Sequence, residues 1–181
     1  MLLFLGRIIQ LLLSPEHGWE DISAAGERAE DIQRRRYLPL MCVVALSQLV
    51  RLFFEPQLGV FSALAAVVAV GGAYLASLFI AKMVMAFAVR RWVDEDVEVE
   101  RIHVVVLYTL GLTAFYRLIF NLIPTPMMLL KLLPLLSLLV ILRATDFLGV
   151  SADKGLRLIG FGFLAVIVLP FVITYLFMMF I

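Results

Sequence analysis

Long apolar runs separated by short polar breaks dominate the chain. Crossing a hydrocarbon core of about 30 Å takes about 20 apolar residues in a helix. Five runs meet that need, at 37–54, 58–89, 102–123, 127–148 and 156–181. The second is interrupted only by Lys82. As a helix it reaches roughly 48 Å, so it must tilt strongly or project beyond the bilayer. Ahead of these runs, residues 1–13 are apolar apart from Gly6, Arg7 and Gln10. That helix is about 18 Å long and too short to span. Arg7, Gln10 and Ser14 share one of its faces, which suits a helix lying in the membrane interface. No basic stretch precedes the run and no small-residue cleavage site follows it, which argues against a secretory signal.

Ser14-Pro15-Glu16 reads as a helix start, with a capping hydroxyl, a proline at the first helical position and an acid near the positive dipole end. Trp19 after it suits the headgroup zone. Glu30–Arg34 and Asp31–Arg35 form favourable i, i+4 pairs. The pattern therefore predicts an all-α fold: a polytopic membrane helix bundle with five transmembrane helices plus an N-terminal interfacial amphipathic helix. It forms one membrane domain over 1–181, with 1–36 as a cytoplasmic and interfacial segment and 37–181 as the bundle.

Composition supports the membrane reading. Of 181 residues 64% are hydrophobic and the mean hydropathy is +1.06, against about 45–50% apolar residues in soluble domains. The net charge of +1 gives no reason to expect nucleic acid. The placement of charge says more. Arg7, Arg28, Arg34, Arg35, Arg36, Arg90, Arg91, Arg101, Arg143, Lys154 and Arg157 alternate onto one side of a five-span bundle. Positive residues mark the cytoplasmic side. The N-terminus is therefore expected inside and the C-terminus outside. The short soluble portions lean towards a bacterial cytoplasmic membrane.

Polar groups inside apolar helices are costly and mark candidate sites. Arg51, Arg117, Asn121 and Lys131 fall in the outer third of the bilayer in this orientation, with Glu55 as the one acid near them. They suit an anion or lipid-phosphate site, or plain snorkelling to headgroups with an Arg51–Glu55 pair. Lys82, His103, Tyr108 and Asp146 lie towards the inner face, where a cluster would suit proton-coupled movement. The acidic stretch 94–100 reads as a solvated connector offset by Arg90, Arg91 and Arg101. Small residues repeat through 58–89, from Ser62 to Ala81, and mark a central packing helix with a homo-oligomer contact as its second use. Pro134 and Pro170 are expected to kink their helices.

The single Cys42 and the separated His17 and His103 support no metal site or cofactor. Nucleotide-binding, zinc-hydrolase and nucleophile-elbow motifs are absent, so a non-enzymatic protein is expected. Leu11-Leu12-Leu13-Ser14-Pro15 followed by Trp19-Glu20-Asp21-Ile22 resembles the opening of prokaryotic Yip1-domain proteins. Tyr108, Asn121-Leu122-Ile123-Pro124, Phe147-Leu148-Gly149-Val150 and Lys154 extend the resemblance over nearly the whole chain. It implies five spans and a cytoplasmic N-terminus. Eukaryotic relatives are associated with Rab-type small GTPases. Here Leu107 precedes Tyr108 and Gly111 occurs where the family's proline would be sought, which weakens that link.

The expected role is a Yip1-like integral membrane protein organising membrane or recruiting partners. Membrane lipids and a cytoplasmic protein would be its contacts. The alternative is a small transporter or lipid-handling protein that uses the outer basic residues.

Overall fold

The computed structural model describes residues 2–55, 57, 59–92, 97–123 and 133–179. Every regular element among them is helical. Two short helices come first: α1, Leu2–Leu13, and α2, Pro15–Ala25. Five longer ones follow: α3, Ala29–Phe54; α4, Val60–Trp92; α5, Val99–Leu122; α6, Leu133–Leu148; and α7. α7 runs through Ala152–Phe163, a π-helical turn at Leu164–Val168, and Leu169–Met179.

Four helices are long and apolar enough to cross a membrane, at Ala29–Phe54, Val60–Arg91, Val99–Leu122 and Lys154–Phe177. The protein is thus an all-helical membrane protein by length and composition. The expected span at 127–148 is described only from Leu133, as a 16-residue helix. Its first residues lie outside the described part, as does most of the turn before it. The first helix also starts earlier than its apolar run. Its π-helical turn Gln33–Tyr37 carries the charged entry segment directly into the span.

α5 is the hub. Of its most apolar window 72% is buried, against 44% for α4 and 39% for α3. It packs on α1, α3, α4 and α6 and on the π-turn of α7. The small-residue helix α4 packs as widely, against α3, α5 and all three parts of α7. Its Ala63, Ala66, Ala69, Ala73, Ser77 and Ala81 are all buried within the chain. Its large residues, such as Phe61, Val68, Phe79 and Met83, point outward. Small residues let backbones approach closely in a membrane, and here the bundle itself uses them.

The prolines act through wide turns. Pro39 and Pro170 each stand two residues after a π-helical turn, Gln33–Tyr37 and Leu164–Val168. A proline lacks the N–H and its ring collides with the carbonyl four residues back. Widening the preceding turn removes that collision. The Leu38 and Leu169 N–H groups then reach the carbonyls of Gln33 and Leu164. The expected distortion at Pro170 takes this form. Pro134 is the second residue of the described α6, so no kink is described at it.

Candidate functional site at the charged end of the bundle

α1 and α2 form a helical hairpin docked on one end of the bundle. Ser14 caps the start of α2 by position, with Pro15 following. Its hydroxyl, however, lies 3.0 Å from His17 Nδ1 instead of on a backbone N–H. The hairpin closes at Gly18, where a Cβ would stand 2.8 Å from Leu11 Cδ2. Gln10 Nε2 adds a hydrogen bond to Asp21.

On the inner side of α1, Phe4, Ile8 and Leu11 are fully buried. Their i, i+4, i+7 spacing puts them on one face. They pack against α5 at Gly111, where a Cβ would come within 2.8 Å of the Phe4 ring and 3.2 Å of Ile8 Cδ1. Any side chain at 111 would push α1 away. An aromatic cluster extends this contact. The Phe4 and Tyr108 rings lie 5.0 Å apart, and Trp19 lies 5.1 Å from Phe147 and edge-on to Tyr108 at 6.2 Å. Trp19 is buried, and its Nε1 donates to the Val140 carbonyl at 3.0 Å. A buried indole needs such an acceptor.

A charged lock completes the joint. Arg7 Nη1 donates to Glu27 Oε2 at 2.7 Å and to the Tyr108 hydroxyl at 3.1 Å. Arg36 donates two hydrogen bonds to the same Glu27 carboxylate. Arg7, Glu27 and Arg36 keep only 22%, 25% and 19% of their side-chain exposure. Burial alone would lower the Arg7 pKa, but the Tyr108 hydroxyl and Glu27 outweigh it and hold the guanidinium above its ordinary value. Four segments thus meet on one carboxylate and one phenol: α1, the α2–α3 link, the π-turn of α3, and α5. The outer face of α1 stays apolar, with Leu2 83% and Leu13 82% exposed beside Leu3 and Ile9. Of the expected polar face, Arg7 turns inward, while Gln10 and Ser14 pair with Asp21 and His17 at the exposed surface.

The inner set expected from sequence is divided. Lys82 Nζ donates to Gln33 Oε1 at 2.6 Å, and His103 lies in the field of Lys82 and Glu100. Glu100 accepts the Ala29 backbone N–H at 2.6 Å, which ties α3 to the start of α5. Tyr108 belongs to the Arg7 lock instead. Asp146 faces Arg143 at 3.6 Å. Lys82 and His103 come together; Tyr108 and Asp146 do not join them.

The outer set is only partly assembled. Arg51 makes the expected pair with Glu55, with hydrogen bonds of 3.0 and 2.8 Å. Asn121 Nδ2 donates to Ser47 Oγ at 2.8 Å, joining α5 to α3. Arg117 lies in the field of Tyr74 and Arg51, and its buried Nε has no hydrogen-bond partner among the described residues. Lys131 lies outside the described residues. Beside this group, fully buried Gln48 has neither amide atom paired among them.

The lock and Gln48 were not anticipated from sequence. One signal for the lock was present: Arg7 falls on the 4-7-8-11 stripe with Phe4, Ile8 and Leu11, so it faces what they face. Protein-family models, curated proteins and solved structures contain no match to this chain.

Proposed function

We propose that this chain is a non-enzymatic, Yip1-like integral membrane protein that organises the bilayer and recruits partners at its charged end. The carrying observation is the locked hairpin with its outward leucines. A short helix with an apolar outer face settles at the headgroup–acyl boundary of one leaflet. Held rigidly to a bundle, it adds area to that leaflet at a fixed place. Nothing in this role requires a reaction centre.

In this reading 127–148 is the fourth of five spans and α1 is the interfacial helix. The charged end is cytoplasmic, the C-terminus is external, and the membrane is the bacterial cytoplasmic one. The contacts are lipids and a cytoplasmic protein, and self-association uses the outer apolar face of α4. The test is reconstitution of the full chain into vesicles, comparing wild type with a Leu2→Ser, Leu3→Ser, Leu13→Ser variant. Wild type should reshape vesicles and the variant should not, with helix content equal by circular dichroism. Equal reshaping by both would overturn the reading.

A second reading is supported by Arg117, whose buried Nε has no partner among the described residues. There the protein is a small transporter or lipid-handling protein with an anion site in the outer half of the bundle. Retention of both fold and co-purifying lipid by Arg117→Leu would dismiss it.

A further inference from the structure

The charged end also carries a cleft of about 420 Å³ between α2, α6 and the start of α5. Glu16, Glu20, Arg101, Arg143 and Asp146 line it, with the stacked Trp19 and Phe147 rings as its apolar side. Arg101 lies 5.8 Å over the Phe147 ring and donates to the Phe147 carbonyl at 3.3 Å. It is therefore held in place. Arg143 is not. Glu16 and Asp146 stand 3.9 and 3.6 Å from it, beyond hydrogen-bond length. These two long ion pairs leave its N–H donors without a short carboxylate partner, so an oxyanion can compete for them.

Depth comes from α6. Leu139 and Leu142 are outward-facing, one turn before Arg143 and Asp146. In a membrane bundle such leucines meet acyl chains. The turn that follows them then stands at headgroup level.

The charge pattern selects the ligand. Two guanidiniums oppose a purely cationic ligand, and three carboxylates oppose a purely anionic one. A group carrying both a phosphate and an ammonium answers both sets. The carboxylates offer acceptors for N–H donors, which a primary ammonium has and a quaternary one lacks. We propose that this cleft binds the phosphoethanolamine group of an aminophospholipid, with the phosphate on Arg143 and the ammonium among Glu16, Glu20 and Asp146. Arg101 and the two aromatic rings shape its wall. The site does not depend on the membrane-organising role proposed above.

The experiment is native mass spectrometry of the full chain released from nanodiscs of equal phosphatidylethanolamine, phosphatidylcholine and phosphatidylglycerol. Phosphatidylethanolamine should be retained about tenfold over the other two, the size of one charge-assisted hydrogen bond. Arg143→Gln should lower retention of all three lipids, since each carries the phosphate. Glu16→Gln with Glu20→Gln should lower phosphatidylethanolamine retention and raise phosphatidylglycerol. Arg157→Gln, exposed on α7, should change neither. Circular dichroism establishes that each variant folds, and the carboxylate pair decides alone if Arg143→Gln does not. Equal retention of the three lipids by wild type, or a folded variant set with unchanged retention, overturns the site. Glycerophosphoethanolamine added in excess separates the sources. Lipid that stays bound identifies the bilayer, and displaced lipid identifies a soluble compound with the same headgroup chemistry.

Discussion

The two ends of the bundle treat buried polarity in opposite ways. At the charged end the inward groups are matched. Glu27 takes both Arg7 and Arg36, Tyr108 accepts from Arg7, Gln33 accepts from Lys82, and Glu100 accepts from Ala29. Towards the other end, Gln48 and the Arg117 Nε are buried without hydrogen-bond partners among the described residues. An unmade buried hydrogen bond costs about 1–3 kcal/mol, and hydrocarbon offers no water to repair it. Matched charge holds a hairpin in place. Unmatched polarity is a capacity that something outside the described chain can fill.

The largest expected effect breaks the matched end. Glu27→Gln leaves two guanidiniums facing each other around a neutral amide. Losing one partner of a buried ion pair costs about 3–5 kcal/mol. Here the groups keep about a fifth to a quarter of their exposure, so about 2 kcal/mol is expected after allowing for solvent screening. Thermal unfolding in detergent measures the loss. Proteolysis between α2 and α3 should speed up as the hairpin loosens. If melting and cleavage are unchanged, the lock does not hold the hairpin, and its aromatic contacts alone do.

A smaller effect of opposite sign tests the unmatched end. Gln48→Leu removes an amide that has no partner among the described residues and keeps the side chain near its size. Such an exchange is neutral or stabilising, by up to about 1 kcal/mol. A melting temperature that stays level or rises agrees with an amide left unpaired. A clear fall would mean that the amide holds a water, ion or lipid group in the intact protein. The outer half would then be a binding site.

Local pairings were legible from sequence, and long-range ones were not. Glu30–Arg34 and Asp31–Arg35 meet at 2.8 and 3.5 Å, and Arg51 meets Glu55. Each is an i, i+4 neighbour that helix geometry alone brings together. The charged end was legible too. The N-terminal segment, the start of α5 and the end of α6 meet there, as the alternation of basic residues requires. The lock joins residues 7, 27, 36 and 108, and no spacing rule links them. Arg7 is ambiguous through its own periodicity. A 4-7-8-11 stripe with one arginine fits a helix floating in the interface as well as one docked on a bundle. The two differ only in what α5 presents, and Gly111 opposite Phe4 decides it. Trp19 shows the same limit, since both a headgroup and a buried carbonyl satisfy an indole N–H.

The smallest effect lies between the two ends in character. The Arg51–Glu55 pair has good geometry, yet its side chains remain 31% and 48% exposed. An exposed i, i+4 pair contributes about 0.3–0.5 kcal/mol. Glu55→Gln should lower stability by that little. It also removes the acid that offsets Arg51, which lies in the field of Arg117, so the outer half gains one uncompensated positive charge. Salt separates the two consequences. At about 1 M the screening length is about 3 Å, and the loss at a water-exposed pair should vanish. Melting of Glu55→Gln and wild type at low and high salt measures this. A loss that survives high salt would mean that the pair is shielded from water. Arg51, Glu55 and Arg117 would then form one desolvated group with unpaired Gln48, and the outer half would hold its charge as tightly as the locked end does.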